Sequence, residues 1–312
     1  MKLVFMGTPQ FSVPILEALI EHHEVVLVVT QPDKAVGRKK IVTESPIKKR
    51  AKSENIPVFQ PEKLRVDYQP VLDVKPDLII TAAYGQMLPK ELITQIEAIN
   101  VHGSLLPKYR GGAPIQYALF NGEHETGITI MFMAYQMDSG DIIQQEKIKI
   151  DANDDYTSLS QKLSVLGSKL IISVLDLYQK HEINRVAQNS NQVTFAYTLK
   201  RQDELINFKE SSQNIINRIR GLSEEPGAHA YLGNHLIKFY RATNSDIIEF
   251  EAIPGTVLEN KKKLIIATGD GAIEILEIQA PGKRRMATKD FLNGQNIIGI
   301  GDIFIEGNES NG

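Results

Sequence analysis

The sequence predicts a doubly wound α/β fold with a mostly parallel sheet, followed by a small C-terminal β-barrel. In the first half, short apolar runs typical of buried strands alternate with helical patterns, and this alternation favours a parallel sheet covered by helices. In the last third the strands become short and are separated by turn residues, which is typical of a small barrel. A chain of 312 residues also agrees with two domains of roughly 100–200 residues each.

Hydrophobic patterning predicts the elements of the first half. Turn residues after Gly7 end the first strand, and Ser12 is a candidate N-cap for a helix with one apolar face. The later strands are continuous apolar runs, as expected for strands that are buried on both faces. In chain order, the prediction places strands at 3–5, 25–29 and 78–83, and helices after residue 12, after residue 114 and over 157–180.

A polar break at Asn189–Gln192 separates the two halves. Beyond it, a helix is predicted over Ser211–Arg220, and the strands of the barrel are predicted at 235–240, 255–258, 264–268 and 272–278. We therefore expect a first domain over residues 1–188, a linker over 189–206 and the barrel domain over 207–312.

Composition excludes several classes of protein. The chain has no cysteine, which excludes disulfides, thiolate zinc ligands and cysteine nucleophiles and suits a reducing, cytoplasmic location. No apolar run reaches the ~18 residues of a membrane span, and the N-terminal stretch is too short for a signal peptide. Because the net charge is −3, any contact with nucleic acid must come from local basic patches.

Asn100 and His102 form the most informative pair of polar residues in the chain. They stand two apart in a stretch that continues into Leu105-Leu106-Pro107. Residues i and i+2 of a strand point to the same face, so the amide and the imidazole should project side by side. Proline ends the strand because it lacks the N–H that a ladder needs. A polar pair at a strand end is where open α/β folds place their chemistry.

A second segment supplies a candidate acid. Residues 127–133 read as a buried strand that runs into Met137-Asp-Ser-Gly-Asp141. Such a turn is commonly only a turn, but the long apolar strand before it raises the odds of a function. Asn100, His102 and Asp138 could form a catalytic set, in which an acid orients and charges a histidine beside an amide donor.

Residues 34–52 are strongly basic and are predicted to form a loop beside this site. Their only acid is Glu44, and the segment is broken by Gly37 and Pro46. A run of charges is usually a solvated face, but a basic loop beside an active site also suits a phosphate backbone. The cations of the segment are Lys34, Arg38, Lys39, Lys40, Lys48, Lys49, Arg50 and Lys52.

Taken together, these motifs resemble the folate-dependent formyltransferases. The resemblance is carried first by Asn-Val-His at 100–102, Ser-Leu-Leu-Pro at 104–107, Gly-Ile-Thr-Ile at 127–130 and Asp-Ser-Gly-Asp at 138–141. Four further motifs point to the branch that acts on methionyl-tRNA: Phe5-Met-Gly-Thr-Pro-Gln-Phe11, Thr30-Gln-Pro-Asp33, Ala83-Tyr-Gly-Gln86 and Lys108-Tyr-Arg-Gly-Gly-Ala-Pro114. The resemblance covers essentially the whole chain and is strongest over residues 1–145.

The resemblance implies a Rossmann-like formyltransferase domain and an OB-like barrel that contacts tRNA. The implied reaction transfers the formyl group of 10-formyltetrahydrofolate to the amino group of methionine on initiator methionyl-tRNA, with no metal, in a cytoplasmic monomer. Asn100, His102 and Asp138 match the family's catalytic residues. The implied folate-binding residues are Tyr84, Gly85, Gln86, Met87, Leu88, Ser104, Leu105, Leu106, Pro107 and Asp141, and the implied tRNA-binding residues are Arg38, Lys39 and Lys40.

The sequence departs from the family at two places and leaves other functions open. The family often has Gly-Arg-Gly-Lys-Lys where this chain has Gly37-Arg-Lys-Lys. It also often has Trp-Pro between Leu222 and Gly227, where this chain has Ser223-Glu-Glu-Pro226 and no tryptophan. A sugar or nucleotide-sugar formyltransferase would use the same catalytic set, whereas glycinamide ribonucleotide formyltransferases usually lack a second domain. A dinucleotide oxidoreductase would need the Gly-x-Gly-x-x-Gly fingerprint, which is missing after the first strand. An inactive RNA-binding protein would share the basic loop and the barrel.

Overall fold

A computed structural model describes residues 1–36, 41–247, 251–294 and 297–307. The described chain divides into two compact units. The first comprises Met1–Pro114, Glu125–Ile150 and Leu159–Thr198, and the second comprises Ile115–His124, Asp151–Ser158 and the described residues from Leu199 onward. Within these ranges, no helix is both long enough and apolar enough to cross a membrane.

The first unit is built around a seven-stranded sheet with the order β5-β2-β1-β6-β7-β8-β9. Its five leading strands are parallel, while β8 and β9 run antiparallel to their neighbours. Together with two strands outside the sheet, β3 and β4, the strands of this part of the chain are β1 (Lys2–Gly7), β2 (Glu24–Val29), β3 (Lys34–Val36), β4 (Ile41–Thr43), β5 (Val58–Phe59), β6 (Leu78–Ala82), β7 (Ala98–His102), β8 (Glu125–Phe132) and β9 (Ile142–Lys149). A small separate hairpin is formed by β3 and β4.

Helices connect the strands of this sheet, as the alternating pattern predicts. The central strands β1 and β6 are buried almost throughout, because helices cover both faces of a parallel sheet. The helices of the first 180 residues are α1 (Val13–His22), α2 (Pro46–Ser53), α3 (Gln69–Asp73), α4 (Lys90–Gln95), α5 (Pro114–Phe120) and α6 (Tyr156–Gln179). The predicted long helix at 157–180 is confirmed by α6.

Two local predictions are wrong. Ser12 does precede α1, but its hydroxyl makes no capping bond and instead donates to the carbonyl oxygen of Ala82 at 2.6 Å. Residues 34–52 are not one loop, because they contain the β3–β4 hairpin and α2. Helix α2 begins at Pro46, and the Ser45 hydroxyl accepts a bond from the backbone N–H of Lys48 at 3.0 Å. Serine at the N-cap with proline at the first helical position is a favourable helix start.

The second unit contains an antiparallel sheet with the order β10-β11-β14-β13-β12, to which β15 adds by pairing with β14. Its core includes buried residues of helix and sheet such as Ile215, Ile219 and Phe239. The elements are α7 (Ser212–Gly221), β10 (Ala228–Leu232), β11 (His235–Asn244), β12 (Val257–Glu259), β13 (Leu264–Ala267), β14 (Ala272–Gln279), β15 (Met286–Ala287) and α8 (Thr288–Leu292).

The last described segment of the chain joins the two edges of this antiparallel sheet. Ile305 pairs with Tyr231 of β10, and Ile303 pairs with Thr256 next to β12. Because β10 and β12 are the edge strands, these contacts close the sheet into a barrel-like unit and protect both edges from pairing with another chain. The predicted fold class, a doubly wound α/β domain with a C-terminal barrel, is therefore confirmed.

Candidate active site

The candidate site lies at the carboxyl end of β7. Strand β7 pairs in parallel with β6, where Thr81 lies opposite Asn100, and antiparallel with β8, where Thr129 lies opposite His102. The carboxyl ends of parallel strands share one edge of the sheet, and the loops that follow them build a site there. This register therefore fixes Asn100 and His102 on rigid backbone, as the sequence predicted.

The amide of Asn100 is oriented by its neighbour on β6. The Thr81 hydroxyl donates to Asn100 Oδ1 at 2.8 Å. Because the amide oxygen faces Thr81, the Nδ2 hydrogens point to the opposite side of the group. The side chain is half-buried, so its two donors can reach a bound molecule.

His102 is nearly fully buried, with 5% of its surface exposed. Its Nε2 lies 2.9 Å from the carbonyl oxygen of Tyr109. A carbonyl can only accept, so Nε2 carries the hydrogen and donates. The other ring nitrogen, Nδ1, lies 3.8 Å from Asp138 Oδ2. That distance is too long for a direct hydrogen bond, so Nδ1 faces the carboxylate across a short gap.

Asp138 is placed by an unusual backbone conformation. Its φ is +48°, in the left-handed region that aspartate tolerates better than most residues. Its Oδ2 accepts a hydrogen bond from the backbone N–H of Gly111 at 2.8 Å. The structure thus brings together Asn100, His102 and Asp138, which stand up to 38 residues apart in the sequence.

Gln188 is a residue of this site that the sequence did not single out. Its Nε2 donates to the carbonyl oxygens of Asp138 and Gly140, both at 2.8 Å. Its Oε1 accepts from Arg110 Nε at 3.0 Å and from Arg110 Nη2 at 2.7 Å. One half-buried side chain therefore ties the Asp138 turn to the loop that carries Tyr109 and Gly111.

The segment that follows Gln188 also lies along this loop. The backbone N–H of Arg110 donates to the Thr194 carbonyl at 2.9 Å, and the backbone carbonyl of Arg110 accepts from the Ala196 N–H at 2.8 Å. Gly111 allows the close approach, because its φ is +127° and a Cβ there would lie 2.4 Å from the carbonyl oxygen of Ala196. The first part of the predicted linker, residues 189–198, thus packs in the first unit.

Comparisons with known proteins agree with this geometry. Residues 1–175 match the Formyl transferase family, and residues 198–296 match the Formyl transferase C-terminal domain. A curated relative, the methionyl-tRNA formyltransferase of Latilactobacillus sakei subsp. sakei (strain 23K), is 47% identical over 299 residues, which are 94% of each chain.

The chain belongs to the formyl transferase family.

Solved structures share the fold of this formyl transferase. HypX from Aquifex aeolicus, in complex with tetrahydrofolic acid, superposes with a TM-score of 0.67 at 16% identity and covers 94% of this chain. The chain spans about half of HypX, since the match covers 47% of that protein. Methionyl-tRNA formyltransferase from Clostridium thermocellum superposes with a TM-score of 0.57 at 19% identity, covering 82% of this chain and 100% of that one. At these identities the structures support the fold alone.

The loop after β6 has features that fit a polar ring such as the pterin of a folate. Gly85 has a φ of +87°, and a Cβ placed there would meet only Gln31 Nε2, at 3.6 Å. The neighbouring residue, Tyr84, packs in the hydrophobic core of the first unit, and its buried hydroxyl makes no hydrogen bond within the described part of the chain. Burial raises the pKa of this hydroxyl, so it stays protonated and can donate.

Other predicted folate-binding side chains already have partners within the protein. Gln86 accepts from the backbone N–H of Leu64 at 2.8 Å, and the Ser104 hydroxyl donates to the Lys108 carbonyl at 2.7 Å. Leu88 and Leu106 are buried, whereas Met87 is 47% exposed. Leu105, Pro107 and Asp141 are half-buried. Gln86 and Ser104 therefore shape the loops, and any folate contact they make would come from their backbone.

The predicted tRNA-binding residues Arg38, Lys39 and Lys40 lie outside the described residues. On α2, three of the four cations pair with carboxylates, and the exception is the exposed Lys49. Lys48 Nζ lies 2.5 Å from Asp33 Oδ2, Lys52 pairs with Glu44, and Arg50 pairs with Glu17 and Glu54. The hydrogen bond from Lys48 lowers the pKa of the Asp33 carboxyl. The basic segment is thus less strongly positive than its sequence indicates.

No cluster of three or more potential metal ligands among His, Cys, Asp and Glu occurs in the part of the chain that the structure describes. The candidate catalytic set contains one imidazole and one carboxylate, which face each other. The chemistry that these groups offer is hydrogen-bond donation and proton transfer.

Proposed function

We propose that this chain transfers the formyl group of 10-formyltetrahydrofolate to the amino group of methionine on initiator methionyl-tRNA, in support of translation initiation. The observation that carries the proposal is the extent of the similarity. A relative named methionyl-tRNA formyltransferase is 47% identical over 94% of both chains, and so the similarity includes both the catalytic unit and the C-terminal unit.

For this reaction the protein must mainly position the two substrates and stabilise the charge that develops between them. The amino group of an aminoacyl ester has a pKa near or below ~8 and is largely uncharged at neutral pH, so it can attack without a strong base. Negative charge then develops on the formyl oxygen. Asn100 is the best-placed donor for this oxygen, because its own oxygen is held by Thr81. Preorganised donors of this kind stabilise the transition state.

His102 and Asp138 are suited to proton transfer. In the reaction, the amino nitrogen bonds to the formyl carbon, the bond from that carbon to the folate nitrogen breaks, and one proton passes from the first nitrogen to the second. His102 Nε2 is occupied by the Tyr109 carbonyl, so the ring meets the substrate through Nδ1. The Asp138 carboxylate, whose Oδ2 lies 3.8 Å from Nδ1, is close enough to orient the ring while it relays the proton.

The remaining assignments are part of the same proposal. Folate is expected to bind at residues 84–88 and 104–107 and near Asp141, and the phosphates of tRNA are expected to bind Arg38, Lys39 and Lys40. We also expect a cytoplasmic monomer, which light scattering of the purified protein would test.

The decisive experiment offers the enzyme several acceptors in competition. Purified protein is incubated with 10-formyltetrahydrofolate and equal amounts of methionyl-tRNA, free methionine and a nucleotide-linked amino sugar. We expect formyl-methionyl-tRNA as the main product. Formylation of the amino sugar with no formylation of tRNA would overturn the proposal in favour of a sugar formyltransferase, and no transfer to any acceptor would favour an inactive RNA-binding protein.

A further inference from the structure

Two aromatic side chains lie exposed and parallel on the segment that follows Gln188. Phe195 is 47% exposed and Tyr197 is 61% exposed. Their ring centroids are 5.6 Å apart, and the ring planes differ by 6°. Large apolar groups that are clustered in water often mark a binding surface. We call Phe195 and Tyr197 the stacking pair. Two flat, exposed rings of this kind can bind another planar ring.

The backbone holds the stacking pair rigidly in this exposed position. Residues i and i+2 of an extended chain share a face, and Ala196 between the two rings is fully buried. Backbone hydrogen bonds join Arg110 to Thr194 and Ala196, on either side of Phe195. Since Ala196 is locked against Gly111, both rings must face away from that loop. Little conformational entropy is then lost when a ligand binds them.

The stacking pair adjoins the catalytic set. Arg110, which pairs with Phe195, directly follows Tyr109, whose carbonyl accepts the hydrogen bond from His102. The next residue, Gly111, donates to Asp138. The same short loop therefore supports His102 and Asp138 and pairs with the segment that carries the two exposed rings.

We propose that Phe195 and Tyr197 form the surface on which the 3′-terminal nucleobase of the acceptor tRNA stacks. The inference rests on the proposed function and adds a binding site to it. In an aminoacyl-tRNA, only the terminal ribose and the aminoacyl ester separate that base from the attacking amine. The base must therefore lie at the rim of the active site when the amine reaches Asn100 and His102. Bases that are not paired stack readily on aromatic side chains.

The competing occupant is the pterin ring of the folate, which is also flat. The open space at Gly85 offers the pterin a different location, on the loop after β6. A base stacked on two exposed rings also needs no hydrogen-bond partner for its edge, whereas the edge of a pterin carries several donors and acceptors that a binding site must satisfy.

The test compares two double variants. Phe195→Leu with Tyr197→Leu keeps apolar bulk but removes both rings, whereas Phe195→Tyr with Tyr197→Phe exchanges the rings and keeps their faces. KM and kcat are measured for methionyl-tRNA and for 10-formyltetrahydrofolate. In parallel, binding is followed with uncharged tRNA that carries the fluorescent base 2-aminopurine at its 3′ end, since stacking quenches that base. Val66→Ala, at an exposed apolar residue between β5 and α3, is the control.

We expect the leucine variant to raise KM for methionyl-tRNA roughly tenfold, which corresponds to about 1.4 kcal/mol of stacking. Its kcat and its KM for folate should stay near wild type, and the quenching should be lost. The ring-exchange variant and Val66→Ala should behave like wild type in every measurement.

Three results would overturn the inference. Unchanged KM and quenching in the leucine variant would mean that the rings do not touch the tRNA. A higher KM for folate alone would assign the surface to the pterin. Equal loss in the leucine and ring-exchange variants would indicate damage to the loop rather than lost stacking. Failure of the proposed function is distinguishable, because the wild-type protein would then form no formyl-methionyl-tRNA in the same assay.

Discussion

The end of β7 and helix α2 both gather polar and charged side chains, but they hold them in different ways. At β7, His102 and Asp138 are largely buried and bonded to the backbone of Tyr109 and Gly111. On α2, Arg50 and Lys52 lie on a more exposed surface and pair with Glu17, Glu54 and Glu44. Exposed ion pairs contribute little and are screened by salt, whereas fixed and buried groups act on a reacting atom without reorganisation.

The contrast implies that turnover depends on the groups at β7 and hardly at all on the charges of α2. The density of cations in the sequence alone is a poor guide to function, because a cation that is already paired with a carboxylate attracts a phosphate more weakly. Five predictions test this division of roles.

The largest effect is expected from the two residues on β7 itself. His102→Ala and Asn100→Ala should each lower kcat roughly 10²–10³-fold, as is typical for the loss of one preorganised donor. Steady-state kinetics would measure this, with thermal melting as a check on folding. His124→Ala, at an exposed histidine, is the matched control and should leave kcat unchanged. If His102→Ala folds normally and turns over like wild type, the assignment of His102 is wrong.

The carboxylate facing the imidazole should matter nearly as much. Asp138→Asn removes the charge but keeps an oxygen for the Gly111 N–H, so the turn should survive. We expect kcat to fall roughly 10²-fold, in the range of general acid–base contributions. Glu146→Gln changes an exposed carboxylate on β9 in the same way and should have no effect. Equal turnover in the two variants would remove Asp138 from the mechanism.

Removing the hydrogen bonds that support the site at β7 should lower kcat by a smaller factor. Gln188→Ala removes the bonds to Arg110 and to the Asp138 and Gly140 carbonyls, which positions Asp138 less well. We expect kcat to fall about tenfold, because small displacements in an active site reduce the rate strongly, with little change in KM for folate. Gln192→Ala, at an exposed glutamine on the same segment, serves as control. A Gln188→Ala enzyme with normal kcat would show that the hydrogen bonds of Gln188 are not needed for turnover.

The basic segment provides a comparison between cations. Neutralising Arg38, Lys39 and Lys40 together should raise KM for tRNA several-fold and reduce its salt dependence by about one unit of slope or less per lost contact. Neutralising Lys48, Arg50 and Lys52, which pair with carboxylates, should change the slope less. Salt titrations of KM would compare the two triple variants. Parallel slopes for wild type and the first variant would mean that residues 38–40 only form a solvated face.

The smallest effect concerns stability. Arg50 bonds to Glu17 and Glu54 on the surface, so Arg50→Ala should lower the free energy of unfolding by only about 0.5 kcal/mol. Urea denaturation at low and high salt would measure this, and the difference should shrink at high salt. A loss of several kcal/mol would contradict the view that these pairs are screened.

The sequence predicted those elements and residues that are marked by a pattern within a few consecutive residues. Apolar runs predicted β1, β2 and β6, and the spacing of Asn100 and His102 placed both on one face of β7. Helix α2 was missed because its charges suggested a loop, although Ser45 followed by Pro46 is itself a helix start signal. Gln188 could not be predicted, since its partner Arg110 lies 78 residues away and a single glutamine in a polar stretch carries no pattern. Glu17, one partner of Arg50, likewise lies on another segment of the chain.

The return of residues 194–196 to the loop at Arg110 has a consequence for biosynthesis. A ribosome delivers the chain from its N-terminus, and domains tend to fold as units while they emerge. Here the backbone partners of Arg110 are among the last residues of the first unit to be made. The nascent chain can thus form most of the parallel sheet early, but the loop at Arg110 acquires its final support only after about two thirds of translation is complete.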